Sequence, residues 1–437
     1  MAPHKLPFYV PSNEEHQIVS SHFIGPKGEN MDIMANAVQY ILERQKAHRL
    51  SYHSEDPVFI TDEIRDSSAF KTAQTNLEST VSRLTELLTE HSIPFFSPRY
   101  SAHMCMENSM PAILGWMATI MYNPNNASPF TSVIEIETGK QMSEMLGYNI
   151  MPNKEDQPVA WGHIACDGSV ANLETVWYVS TRNLKYYPLA LRDAMAPGAP
   201  LEFTSSTFDV TTCLGENKLL SELDLWELLN LKSPTILDIP GRLCEEYGIS
   251  STYLDDVMKD YIIQTISREP VDKVWGVDQP PQIFVAATKH YSWPKSAAIA
   301  GIGSANVISV PVDTEARLDP TALKDLLEEN FQKKRAVYAV VAVMGTTEEG
   351  AVDPLGAILD IRDEFEAKGM TFHVHADAAW GGYFASMIRE PPKGVPGPRG
   401  KPTGYVPHVA LRLSTAAELK NFGRADSITI DPHKVGA

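Results

Sequence analysis

A chain of 437 residues, 43% hydrophobic and 21% charged, can bury a sizeable core, and its length suits one large domain with appendages. The formal net charge of −18 leaves no basic stripe for a nucleic-acid backbone or an anionic bilayer, so neither is expected as a partner. The opening MAPHKLPFYVPSNEEHQ holds no signal-length apolar run, no later run approaches the roughly 18 apolar residues of a membrane span, and the expected location is the cytoplasm.

In chain order, residues 31–47 and 67–91 carry apolar side chains at three- and four-residue spacing, which predicts amphipathic helices packed on something larger. They are assigned to an N-terminal helical arm, residues 1–126, ahead of a large domain, 127–437. From about residue 127 helical stretches alternate with short β-branched runs: Ile283–Thr288, Val307–Val312, Ala336–Val343, Phe372–Asp377 and Ser427–Ile430. Helices are expected at 169–184, 294–302, 320–330 and 356–368 between them. This alternation predicts an α/β domain on a mostly parallel central sheet. The stretch 391–407, dense in Pro and Gly, reads as a surface loop near the chemistry. Cys105, Cys166, Cys213 and Cys244 are widely spaced without a C-x-x-C pair, so neither a zinc site nor a disulfide framework is expected.

Three stretches carry candidate chemistry. Phe372-His373-Val374-His375-Ala376-Asp377-Ala378-Ala379-Trp380-Gly381-Gly382 is an apolar strand ending in a carboxylate, where open α/β sheets bind ligands. A buried Asp377 there needs a cation such as a protonated pyridine nitrogen. An ordinary Asp-capped strand end is the alternative. Ser427-Ile428-Thr429-Ile430-Asp431-Pro432-His433-Lys434 is a second strand and a turn presenting Lys434, a residue type that forms Schiff bases with carbonyls. In Gly162–Glu174, Gly168, Ser169 and Val170 open a helix whose free N–H groups suit a phosphate; Gly-Ser is equally a plain N-cap.

Together with Thr-Lys-His-Tyr-Ser-Trp (288–293), Gly-Thr-Thr-Glu-Glu-Gly-Ala-Val-Asp (345–353), Phe23-Ile24-Gly25 and Arg99-Tyr100, these blocks resemble the group II decarboxylases that depend on pyridoxal 5'-phosphate (PLP), in particular the tyrosine decarboxylase branch. The resemblance implies PLP-dependent fold type I (aspartate-aminotransferase-like), a homodimer with active sites at the subunit interface, and decarboxylation of an L-amino acid. It makes Lys434, His290 and Asp377 catalytic: Lys434 carries the cofactor, Asp377 pairs with the pyridine nitrogen and His290 stacks on the ring. Gly168, Ser169 and Val170 hold the phosphate, helped by Ser427 and His433, and Thr346 lies near the aldehyde side. Tyr100 and His103, with Trp116, are candidates to line a pocket for an aromatic side chain, with core positions at helical spacing as the equal alternative. L-tyrosine is favoured through the resemblance, with dopa, phenylalanine, tryptophan and acidic amino acids left open.

Relatives continue beyond the lysine, whereas this sequence stops at Val435-Gly436-Ala437. The expectation is an incomplete large domain without a C-terminal domain, which leaves an inactive decarboxylase-like protein or dimer partner as an alternative. A second alternative is a metal-dependent hydrolase using His373, His375 and Asp377, which strand alternation puts on one face. The primary reading contains no metal.

Overall fold

The computed structural model describes residues 13–100, 104–122, 129–152, 158–179, 182–388 and 411–435. The chain divides into two compact units, with the break after Ser132. The first is helical. Its helices are Asn13–Ser20, Met31–Tyr52, Asp62–Asp66, Ser68–His91 and Met110–Ile120. Met31–Tyr52 lies against Met110–Ile120, and Gln45 donates to the Met121 carbonyl at 2.7 Å. The helix Ser68–His91 starts where the Ser67 hydroxyl accepts from Phe70 N–H, yet it buries none of its residues. Its apolar stripe of Leu77, Val81, Leu84 and Leu88 is exposed, so the packing expected of this helix is not made within the chain's described residues.

The second unit is an α/β layer structure. A short antiparallel hairpin joins β1 (Asp209–Thr211) to β2 (Asn217–Leu219). The central sheet holds β3 (Gln282–Ala286), β4 (Val307–Val310), β5 (Val337–Val343), β6 (His373–Ala378) and β7 (Ser427–Ile430) in the order β4-β3-β5-β6-β7. Every neighbouring pair in it is parallel. All residues of β3, β5 and β6 are buried, as expected for strands covered on both faces, whose sequences read as continuous apolar runs rather than alternating ones. Helices Pro320–Gln332 and Leu355–Glu366 supply covering layers through Leu323, Leu327, Ile358 and Phe365, each fully buried. No helix among the described residues is long and apolar enough to cross a membrane.

One expected helix is interrupted. The span 169–184 is α-helical only from Asp167 to Glu174; it continues as a π-helical turn, Thr175–Val179, and a separate helix, Arg182–Ala194, follows. Thr175 Oγ1 donates back to the Ala171 carbonyl at 3.1 Å, a bond that bends helices, and π turns recur at functional sites.

The helix Arg182–Ala194 also carries a lysine that sequence reading passed over. Lys185 is 5% exposed, and its ammonium donates to the Thr371 carbonyl. Burial pushes it down to about 7, against smaller opposing effects of Cys213 and Glu366. The unfolded chain therefore binds one more proton between about pH 7 and about pH 10.5, and stability contributed at this position rises with pH across that window. A charged lysine held there near pH 6 costs about 5 kcal/mol, more than the about 1–3 kcal/mol of leaving the Thr371 carbonyl without a donor. Lys185→Met is therefore expected to raise the melting temperature near pH 6 and to lose that advantage toward pH 10. Calorimetry at the two pH values checks both the sign and the trend.

Candidate active site

The parallel sheet brings the sequence motifs to one edge. His290 follows β3, Thr346 follows β5, Asp377 is the penultimate residue of β6, and Asp431 to Lys434 follow β7. These are the carboxyl ends of neighbouring strands, where a crevice forms in open α/β sheets. In the register, Asp377 stands beside Val343 of β5 and Thr429 of β7.

Asp377 is buried. Its Oδ2 accepts from the Trp293 indole Nε1–H at 2.7 Å and from Asn172 Nδ2 at 3.2 Å. Oδ1 has a contact of 3.4 Å from Ala379 N–H. These donors are neutral and bring no positive charge to the buried carboxylate. A buried negative charge is costly unless a cation meets it.

Lys434, on the short helix Pro432–Val435, is half-buried and its Nζ lies 2.9 Å from Asp431 Oδ2. The Asp431 carboxylate lies against Gly168, where a Cβ would come within 2.7 Å of both carboxylate oxygens. The lysine turn after β7 thus meets the start of the helix Asp167–Glu174. Asp167 Oδ1 accepts from Ser169 N–H at 2.7 Å and Val170 N–H at 3.4 Å. An exposed side chain therefore covers the helix's free donors, and an incoming anion can displace it.

His290 is half-buried, its ring centroid 4.1 Å from that of Tyr291. Its Nδ1 accepts from Ser292 N–H at 3.2 Å, which puts the ring proton on Nε2. Burial holds the imidazole below its ordinary range; Lys434 and Lys295 push the same way, opposed by Asp377 and Asp431. The ring is thus neutral and within electrostatic reach of Asp377, Asp431 and Lys434.

Not every expected residue joins this group. The Thr346 hydroxyl is committed to its own loop, donating to Glu349 Oε2 at 2.9 Å and accepting from Ala351 N–H at 3.0 Å. Ser427 stands on β7 beside His375, two residues before the position facing Asp377. Its Oγ is 2.7 Å from both His373 Nε2 and His375 Nδ1, so it bridges the histidines and is not gathered at the helix start. His433 is exposed. Tyr100 belongs to the first unit, where its ring meets Phe95 edge-on at 5.0 Å; Trp116 is exposed. His103 and the 391–407 stretch lie outside the described residues. His373 and His375 share Ser427 while Asp377 turns to Trp293 and Asn172. Among the described residues no group of three or more His, Cys, Asp or Glu side chains is placed to hold a metal.

The glycine pair after β6 has a steric reason. A Cβ on Gly381 would sit 1.9 Å from the Met344 carbonyl oxygen, and one on Gly382 2.2 Å from Ile430 Cγ2. The first obstacle is backbone and cannot turn aside. Gly381→Ala should therefore separate the β6 turn from β5 and destabilise the protein by about 4 kcal/mol or more, read as loss of soluble material or a collapsed melting temperature.

Sequence reasoning missed Asn172, Trp293 and Asp431, although each sits inside a quoted motif. The available signal was Asn172 itself, since asparagine in a helix interior competes with the helix and calls for a side-chain partner.

Residues 260–399 match the conserved domain of the pyridoxal-dependent decarboxylases. Over these residues the chain is similar to those enzymes. It is 32% identical over 426 residues to an L-tyrosine decarboxylase of Levilactobacillus brevis, covering 95% of this chain and 60% of that protein. An L-tyrosine decarboxylase of Enterococcus faecalis is 30% identical over 438 residues, covering 95% of this chain and 61% of that protein. The chain thus spans about three fifths of the length of these curated relatives. A solved structure, the glutamate decarboxylase domain of a diaminobutyrate-pyruvate transaminase and L-2,4-diaminobutyrate decarboxylase from Vibrio parahaemolyticus, is similar with a TM-score of 0.50 at 16% identity. It covers 98% of this chain and 66% of that one. At that identity the likeness speaks to the fold, and it agrees with PLP fold type I.

The decarboxylase-like site fits the family's cofactor on its own chemistry. A buried carboxylate with one oxygen turned to neutral donors suits a pyridinium, and a lysine at the end of the adjacent strand suits an aldehyde. Helix N–H groups covered only by an exposed aspartate suit a phosphate.

Proposed function

We propose that the protein is a PLP-dependent amino-acid decarboxylase acting on L-tyrosine to give tyramine. The observation that carries this reading is the placement of Lys434 beside the helix Asp167–Glu174, with the buried Asp377 one strand away on the same edge. The likeness to L-tyrosine decarboxylases supports the substrate.

When bound, PLP supplies an aldehyde that captures the substrate amine and a ring that accepts the electrons left by departing CO2. The chain's residues do the rest. Lys434 Nζ, held in this state by Asp431 at 2.9 Å, would be the amine that holds the cofactor through its aldehyde once that ion pair opens. Asp377 would hold a proton on the ring nitrogen. The neutral imidazole of His290 would hold the ring face without adding a competing cation. Gly168, Ser169 and Val170 would hold the phosphate through their N–H groups in place of the Asp167 carboxylate. The exposed stripe of Leu77, Val81, Leu84 and Leu88 supports a homodimer, and the net charge of −18 is in keeping with a cytoplasmic protein.

The test is to add PLP to the purified protein, record the band near about 420 nm expected of a PLP Schiff base, and then supply L-tyrosine, L-dopa, L-phenylalanine, L-tryptophan, L-glutamate and L-aspartate separately. Tyramine and CO2 from L-tyrosine are the expected products. A band without CO2 from any of the six leaves cofactor binding and rejects decarboxylation.

A further inference from the structure

Asp377 is held by two side chains to which no role has been given. Trp293, fully buried, and Asn172, 1% exposed, both donate to Oδ2. Both bonds fall on one oxygen, and Oδ1 has only the weak contact from Ala379 N–H at 3.4 Å among the described residues. Both donors are neutral, so they fix the carboxylate without cancelling its charge.

The Asn172 amide has its orientation imposed on it. Its Nδ2 donates to Asp377 Oδ2 and to Ser292 Oγ at 3.1 Å, while its Oδ1 is buried without a partner among the described residues. The opposite amide orientation would set a carbonyl oxygen against the Asp377 carboxylate. Folding thus tolerates an unsatisfied oxygen to keep a donor on Asp377, and such an exception in a buried place calls for a reason.

The connectivity supplies the reason. Asn172 rides the helix whose first N–H groups lie on Ser169 and Val170. Trp293 and Ser292 start the helix Ser292–Ile299 directly after His290, and Trp293 N–H bonds to the His290 carbonyl at 3.3 Å. His375 packs edge-on against Trp293 at 5.4 Å, with burial holding it well below its ordinary range and so neutral. The helix that carries the groups proposed for the phosphate and the helix that follows His290 therefore each send a donor to one oxygen of Asp377.

We infer that Asn172 and Trp293 are positioning residues that aim Asp377 Oδ1 at the cofactor's ring nitrogen. This rests on the PLP reading proposed above. Neither residue needs to touch the cofactor.

The test is a double-mutant cycle read as PLP dissociation constant and as Lys434-dependent absorbance, with the melting temperature of the cofactor-free protein recorded alongside. Trp293→Phe and Asn172→Ala, each alone, should weaken PLP binding about tenfold, as expected for losing a hydrogen bond to a charged group. In an Asp377→Asn background the same changes should alter binding less than about twofold. Equal effects in both backgrounds, or none in either, assign the two residues to packing alone and overturn the inference. Where Trp293→Phe yields no folded protein, Asn172→Ser decides by the same comparison. If the unaltered protein shows no Lys434-dependent absorbance with PLP, the PLP reading falls and the inference with it. If that absorbance is present and the cycle is additive, only the inference falls.

Discussion

Asp377→Asn is expected to lower turnover about 10³-fold while leaving a folded, soluble protein. The amide has nearly the shape of the carboxylate, so the β6 turn and its glycine pair are undisturbed. Trp293 Nε1–H and Asn172 Nδ2 both demand an acceptor, so the new amide must turn its oxygen to them. Its NH2 then faces the place that Oδ1 occupied. A donor in that position suits an unprotonated ring nitrogen, and the ring loses the positive charge that makes it accept electrons. Removing one member of a buried ion pair costs about 3–5 kcal/mol, and at about 1.36 kcal/mol per tenfold in rate this is about 10³-fold. Steady-state kcat with the cofactor saturating checks the figure. The cofactor-free protein carries the opposite expectation: a buried charge met only by neutral donors is removed, so its melting temperature should hold or rise. A kcat loss under tenfold would take Asp377 off the ring nitrogen.

How much of this was legible in the sequence differs between backbone and side chains. The central strands announce themselves because parallel strands buried on both faces are continuous apolar runs; Val337–Val343 and Gln282–Ala286 fall within two residues of where those runs place them. The site's gross position follows, since Asp377 and Lys434 each come at or just after a strand's carboxyl end. Side-chain commitments were not legible. Ser427 and Thr346 have hydroxyls suited to a ligand, but cross-strand register gives Ser427 to His373 and His375, and a tight turn gives Thr346 to Glu349 and Ala351. The partners of Ser427 are more than fifty residues from it, outside the motif that suggested its role, while those of Thr346 lie within its own motif but are reached only through a turn that spacing does not reveal. Asn172 is 205 residues from Asp377 and Lys185 is 186 from Thr371; pairings at such separation depend on how layers stack, which periodicity does not encode. The helix expected at 169–184 erred for a local reason, because a single π turn shifts the apolar spacing over five residues only, and the Thr175 back-bond accompanies the change.

Lys434→Ala is expected to abolish the visible band and to reduce turnover about 10⁴-fold or more, the scale of losing a covalent catalytic group. The structure adds a second consequence. Lys434 is the ion-pair partner of Asp431 at 2.9 Å, and Asp431 is buried against Gly168 at the helix start proposed for the phosphate. With alanine, that carboxylate is left without its cation beside the place an anion must enter, so PLP affinity should fall further than loss of the covalent bond alone requires. Lys434→Arg keeps a cation opposite Asp431 but offers no amine to an aldehyde. It should therefore lack the band, yet bind PLP about tenfold more tightly than Lys434→Ala, a modest share of what an uncompensated buried charge costs. Lys434→Ala combined with Asp431→Asn should recover the same affinity by removing the charge instead of matching it. Equilibrium dialysis of PLP against the three variants separates the two effects. Equal affinities would place the phosphate away from Asp431 and Gly168, while a band persisting in Lys434→Ala would move the Schiff base to another lysine.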